Sequence, residues 1–208
     1  MYADGNGDRL ADNSVNSTEA GTNAWIQGNV QRFSANYTND VEQGVLYSYN
    51  QSLGIYRCPA NKAFVRDFSG RPVPHNRSYS ISVWLNNNLF PGPRRLGQIQ
   101  SPSKIAVFLD ENAVSIDNGA IGIHCPVSDV YWNLPSSRHS RGCNLSFSDG
   151  HVEHWHWVGP YLNENNDIFS SNDTKTERPD PEVNPTDLSP SSFTDPDAKR
   201  LADAVQTP

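Results

Sequence analysis

Residues 144–158 read NLSFSDGHVEHWHWV, two runs of alternating side chains on either side of Asp149-Gly150. Alternation with period 2 places successive side chains on opposite faces of a pleated strand, and Asp-Gly tolerates the positive φ of a tight type I′ turn. The segment therefore predicts a β-hairpin. In its second arm Val152, His154, His156 and Val158 point one way, and His151, Glu153, Trp155 and Trp157 point the other. One of these faces has to pack on the core.

Other segments add to this ribbon. Residues 79–85 (YSISVWL) alternate in the same manner, and residues 104–109 (KIAVFL) form a β-branched run expected to be a buried strand. That strand ends at Asp110 and Glu111, a carboxylate pair expected to mark a solvated exit from the sheet. VEQGVLYSY at 41–49 predicts a short helix, and GIYRCP at 54–59 a brief extended piece stopped by Pro59. The first forty residues are rich in Asn, Asp, Gly and Ser with scattered apolar anchors, which predicts a loop-rich opening. Strands in a sheet with segregated helices and no βαβ alternation give an α+β class. No internal repeat is visible.

Composition sets the scale. Of 208 residues only 36% are apolar, yet five Trp, eight Tyr and eight Phe are present, enough for one aromatic-rich core. Residues 1–164 are expected to form that globular domain. Residues 165–208 turn to Pro, Asp, Ser and Thr and carry nine acids against four bases, so most of the net charge of −7 belongs to this tail. An extended acidic arm ending in one short helix at 195–205 is expected there, with Asp195 as N-cap and Pro196 in the first turn. A net negative chain excludes binding to nucleic acid through a basic surface. The longest apolar stretches are far below the roughly 20 residues of a membrane span, and no signal peptide is visible. The chain reads as soluble, without membrane contact of its own.

Three cysteines, Cys58, Cys125 and Cys143, allow at most one bridge, and their spacing matches no CxxC metal or redox pattern. Buried or half-buried thiols are expected.

The segment from Arg138-His139-Ser140-Arg141-Gly142 to Asp149-Gly150 puts nine residues between His139 and Asp149. It resembles the H-X9-DG signature of prepilin-processing-associated, type II secretion pseudopilin-like proteins. Further pieces agree in order: Tyr2-Ala3-Asp4, Trp25 with Gly28-Asn29, Arg57-Cys58-Pro59, Arg77-Ser78-Tyr79, Ser101-Pro102-Ser103-Lys104 and Asp110. The resemblance implies a pseudopilin-like head, a truncated N-terminal helix packed on a small antiparallel sheet. It also implies an extracytoplasmic location, periplasmic or at the cell surface. Family members carry an apolar helix that anchors them in the inner membrane, and this sequence opens where that helix would end. The partners implied are secretion-system or pilus-like subunits, met through the anchor helix. The major pseudopilins of the wider superfamily often hold calcium, for which loops containing Asp110 and Glu111 offer oxygen ligands, although six to eight are needed and no EF-hand spacing is present.

Read for chemistry, His154 and His156 share a strand face and would present two imidazoles to one metal, with no third ligand identified by spacing. His139 is expected to hydrogen-bond the hairpin backbone or Asp149 and pin the loop, which makes His139, Asp149 and Gly150 a structural motif. A second class of function is a carbohydrate-active domain on the same scaffold, binding acidic polysaccharide or cleaving it by β-elimination. Arg77 or Arg141 would neutralise the uronate carboxylate, His139 or His124 would take the C5 proton, and Tyr79 or Tyr131 would protonate the leaving oxygen. Tyr131, Trp132, Trp155 and Asn144 would bind the sugar. A two-carboxylate glycosidase could recruit Asp110, Glu111 or Glu153. Ser140 lies in HSRGC and not in a G-x-S-x-G elbow, which argues against a serine hydrolase.

Overall fold

The computed structural model describes residues 2–13, 23–123, 133–159 and 196–205. Two short strands, β1 (Phe64–Arg66) and β2 (Pro72–Pro74), pair antiparallel by themselves. The frame is a five-stranded sheet of β3 (Tyr79–Ser82), β4 (Ala106–Asp110), β5 (Ala120–Ile121), β6 (Gly142–Phe147) and β7 (Val152–His156), in the order β5-β3-β4-β6-β7. All neighbours are antiparallel except β5, which runs parallel to β3. The sheet is thus mixed where an antiparallel one was expected. The reason is topological: the chain leaves β4 at the end where β3 begins, and residues 112–119 carry it to the far flank of β3.

The predicted hairpin is present as β6 and β7, with Cys143 opposite Trp155 and Ser146 opposite Val152. Its turn differs from the expected type I′. Gly150 N–H donates to the Phe147 carbonyl at 2.9 Å, and Gly150 alone takes a positive φ, +93°, while Asp149 does not. A type I turn followed by a left-handed glycine is the three-residue hairpin loop with a G1 bulge. Asp149 therefore needs no strained backbone.

Alternation along the strands sorts side chains onto two faces. Leu109, Cys143, Leu145, Phe147 and Trp155 meet Leu201 and Val205 in one buried cluster, whereas Ile81 and Phe108 pack with Trp25, Val41, Tyr56 and Ile105 in another. The α+β class holds, with a helix on the first face and loops on the second.

That helix comes from the other end of the chain than expected. The N-terminal helix α1 (Tyr2–Gly5) is four residues long and buries none of them. The predicted 41–49 helix is reduced to α2 (Tyr47–Asn50), and residues 54–59 are not uniformly extended but begin in a 3₁₀ turn, Leu53–Tyr56. The helix that crosses the sheet is α3 (Pro196–Val205), which buries Asp197, Ala198, Leu201, Ala204 and Val205. Ala198, Leu201, Ala204 and Val205, at i, i+3, i+6 and i+7, form one apolar stripe. Leu201 and Val205 are fully buried, each contributing about 1.5–3 kcal/mol. Asp197 accepts the Val158 and Gly159 N–H groups at 2.8 and 2.7 Å, and Ser82 Oγ donates to the Val205 carbonyl at 2.8 Å. The end of the 165–208 segment is therefore part of the core of the globular domain. The expected N-cap, Asp195, lies outside the described residues. Among those residues no helix is long and apolar enough to cross a membrane.

Candidate functional site

The start of β3, the end of β4, the start of β6 and the end of β7 lie along one edge of the sheet, as their antiparallel pairing requires. Tyr79 pairs directly with Asp110 across β3 and β4, so the two side chains share a face. Cys58 enters from the loop after the 3₁₀ turn. Its N–H donates to Ser78 Oγ at 3.1 Å, Asn61 Nδ2 donates to the same oxygen at 2.9 Å, and the Asn61 N–H returns to the Cys58 carbonyl at 2.9 Å. Ser78 thus fixes the thiol beside the first residue of β3.

His139 approaches from the loop before β6. Its Nε2 lies 2.9 Å from Asp110 Oδ2 and 3.4 Å from Cys58 Sγ. One donor atom from each of Cys58, Asp110 and His139 falls within 4.8 Å of the other two. Cys58 and Asp110 are buried, while the His139 side chain keeps 28% of its exposure, so the cluster meets solvent through the imidazole. Arg138 holds the other carboxylate oxygen, Asp110 Oδ1, with Nη1 and donates from Nη2 to the Glu111 carbonyl at 2.9 Å. Burial raises the Asp110 carboxyl above its ordinary value, against the opposing pull of Arg138 and then His139. Tyr79 completes the cluster: burial, then the Asp110 carboxylate and the Cys58 sulfur, push its phenol up to about 12.

The backbone that delivers His139 is strained. Ser140 and Arg141 both adopt left-handed conformations, φ +51° and +60°, which costs roughly 1–2 kcal/mol per non-glycine residue. Three hydrogen bonds from β7 and its continuation offset this. His154 Nε2 donates to the His139 carbonyl at 2.9 Å, His156 Nδ1 to the Ser140 carbonyl at 2.9 Å, and Trp157 N–H to the Arg141 carbonyl at 2.8 Å. The two imidazoles nominated as a metal pair are in this way occupied in clamping the loop. Strain held this firmly by its surroundings is a mark of functional sites.

The remaining nominated residues separate. The expected His139–Asp149 contact is absent: Asp149 sits at the hairpin turn, accepts from the His151 ring at 2.5 Å, and has its carboxyl lowered by that bond. The length of β6, roughly 3.4 Å per residue, separates the two halves of the motif. Asp110 and Glu111 are both buried, not solvated, and as adjacent residues of an extended strand they point to opposite faces. Glu111 accepts from Ser115 Oγ at 3.0 Å, and burial pushes its carboxyl up to about 8. With Asp110 Oδ1 held by Arg138 and Glu111 facing elsewhere, this pair does not fit calcium, which asks for six to eight convergent oxygens.

Arg77 is buried, donating to the Tyr79 carbonyl and Ser80 Oγ, both at 3.0 Å, and to the Asp117 and Asn118 carbonyls. It braces the start of β3 from inside. Trp155 is a core residue with the Arg200 guanidinium 3.6 Å from its ring centroid, so its face is taken. Asn144 is half-buried on β6, and Arg141 is exposed next to His139. His124, Tyr131 and Trp132 lie outside the described residues, as does Cys125; Cys58 and Cys143 are free thiols. A cavity of about 270 Å³ between residues 91–93 and 98–105 has no titratable group in its lining.

Sequence reasoning placed His139 and Tyr79 together only as base and acid of the lyase reading, set Asp110 apart as a calcium ligand, and missed that all three share one site. It did not nominate Cys58 or Arg138 at all. The available signal was the order of the family-like pieces, because Arg57-Cys58-Pro59, Arg77-Ser78-Tyr79, Asp110 and His139 all reach this edge. Comparison with known proteins finds no matching family model, curated protein or solved structure.

Proposed function

We propose that the chain is an extracytoplasmic, pseudopilin-like head domain with a structural and interaction role in a type II secretion or surface assembly. In this reading an apolar anchor helix precedes α1 and holds the full-length subunit in the inner membrane. The observation that carries the reading is convergence. The pieces of sequence on which the resemblance rests lie far apart in the chain, yet Cys58, Ser78, Tyr79, Asp110 and His139 interlock at one edge of the sheet. Residues kept in order by a shared architecture are expected to meet in this way, since they carry the long-range contacts of the head. The test is capture of purified secretion-system pseudopilin subunits by the domain. Saturable capture supports the proposal, and its absence across the full set of subunits rejects it.

A second reading has one observation in its favour. His139 and Tyr79, two of the residues suited to β-elimination, both adjoin Asp110, with exposed Arg141 two residues along the chain from His139. As a lyase the domain would produce an unsaturated uronate from hyaluronan, chondroitin, alginate or pectin. Growth of its ultraviolet absorbance, abolished in Tyr79→Phe, supports the second reading, and a flat trace on all four glycans removes it.

A further inference from the structure

We infer that Cys58, Asp110 and His139 form a binding site for a divalent transition-metal ion of the zinc class. Three observations carry this. The first is geometry. Zinc–ligand bonds of roughly 2.0–2.3 Å put the edges of a tetrahedron at roughly 3.3–3.6 Å. Here sulfur and nitrogen are 3.4 Å apart, nitrogen and oxygen 2.9 Å, and all three donors lie within 4.8 Å of one another. The two edges that meet at the imidazole nitrogen are within a few tenths of an ångström of that tetrahedron, and the sulfur–oxygen edge, within 4.8 Å, is the one a metal would draw in.

The second is an under-satisfied oxygen. Asp110 Oδ2 is fully buried, makes no well-formed hydrogen bond, and is approached at 2.9 Å by the His139 imidazole nitrogen. A buried carboxylate oxygen without an aligned donor is uncommon and costly. It points into the same space as the thiol and the imidazole. The third is the surrounding shell: Arg138 fixes the other carboxylate oxygen, and the His139 carbonyl is held by His154. Orientation of ligands by outer hydrogen bonds is the usual support of a metal centre.

A nucleophilic Cys–His–Asp arrangement would use the same residue types. It requires the imidazole to hold the carboxylate with one nitrogen and face the thiol with the other. In this protein both partners face the same nitrogen, Nε2, which is the geometry of shared coordination. The donor set of sulfur, nitrogen and oxygen selects zinc or cobalt over calcium and magnesium. Three protein ligands and a solvent-facing imidazole leave a fourth position for water. Binding forms a metal–sulfur bond and releases the thiol proton to solvent. The inference stands apart from the pseudopilin-like reading, since capture of assembly subunits by metal-free protein would separate the two.

The test is titration of the whole chain, stripped with chelator, with Co²⁺ and then Zn²⁺. We expect one equivalent of Co²⁺ to give a sulfur-to-cobalt charge-transfer band that Zn²⁺ abolishes. Cys58→Ser should lose the band, His139→Ala should weaken binding at least tenfold, and Asp149→Asn should bind as the parent does. No saturable band, or a band that survives in Cys58→Ser, overturns the proposal. Should either ligand variant fail to fold, alkylation of the parent protein followed by mass spectrometry decides. Stoichiometric Zn²⁺ should slow labelling of Cys58 at least tenfold, and unchanged labelling also overturns the proposal.

Discussion

At the Asp149 end of β6 the chain is held by its own neighbours. Asp149 bonds His151 two residues on, Gly150 N–H closes the turn on Phe147, and both Asp149 and Gly150 are exposed. At the His139 end, by contrast, the contacts are distant in sequence. Cys58 lies 81 residues back, Asp110 belongs to another strand, and the backbone just after His139, at Ser140 and Arg141, is strained and clamped by β7. The two ends belong to one H-X9-DG motif, yet their residues do not touch. The difference teaches that a fixed spacing can mark the two ends of one strand: a local device that turns the ribbon and a long-range device that ties it to the rest of the sheet.

Substitutions that strike one end only should break or sharpen this contrast. Gly142→Ala should have the largest effect. A Cβ there would lie 2.0 Å from the Trp155 carbonyl oxygen, so backbone must move at the His139 end. A loss of more than about 4 kcal/mol is expected, read as loss of the cooperative thermal transition, and a melting temperature within a few degrees of the parent would contradict the account. Asp110→Ala should come next. It removes the partner of Arg138 and His139 in a buried setting, where breaking a charge pair costs about 3–5 kcal/mol, measurable by denaturant titration.

The same end of the molecule should govern the response to pH. Glu111, with a folded-state carboxyl near 8 against 4.5 in the unfolded chain, binds its proton more tightly when folded. Its contribution is complete below pH 4.5 and is lost as pH rises toward 8. His75, pushed down to about 3 by burial and then by nearby arginines, works in the opposite direction between pH 3 and 6.5, where the unfolded chain takes up the proton. The two slopes oppose each other between 4.5 and 6.5. Above 6.5 Glu111 acts without that opposition, and stability should fall by up to about 1.4 kcal/mol per pH unit. Glu111→Gln should flatten that decline, and an unchanged slope would contradict the assignment. Gly150→Ala should have the smallest effect of the four, about 1 kcal/mol, because nothing lies within 4 Å and only the positive φ resists the substitution.

The contrast also explains what was legible in the sequence. The hairpin was, because alternation and a turn dipeptide are local signals, although the turn type was not, since Asp-Gly serves both a type I′ turn and a G1 bulge. The terminal helix at 196–205 was legible from Asp195 and Pro196 as start signals, but its docking on the sheet was not, because nothing in the acidic tail says where Leu201 and Val205 are buried. The carboxylates at the end of β4 read as a solvated exit, whereas Arg138, Arg77 and Ser115 make an interior of that strand end. The cluster of Cys58, Tyr79, Asp110 and His139 depends on strand register and loop closure, which single-residue patterns do not encode.

The most direct test of the central claim, that His139 acts with Asp110 and Cys58 and not with Asp149, is a pair of double-mutant cycles on stability. His139→Ala combined with Asp110→Ala should show a coupling energy of about 0.5–3 kcal/mol, the range for residues in contact. His139→Ala combined with Asp149→Ala should be additive. Additivity in the first cycle together with coupling in the second would contradict the account.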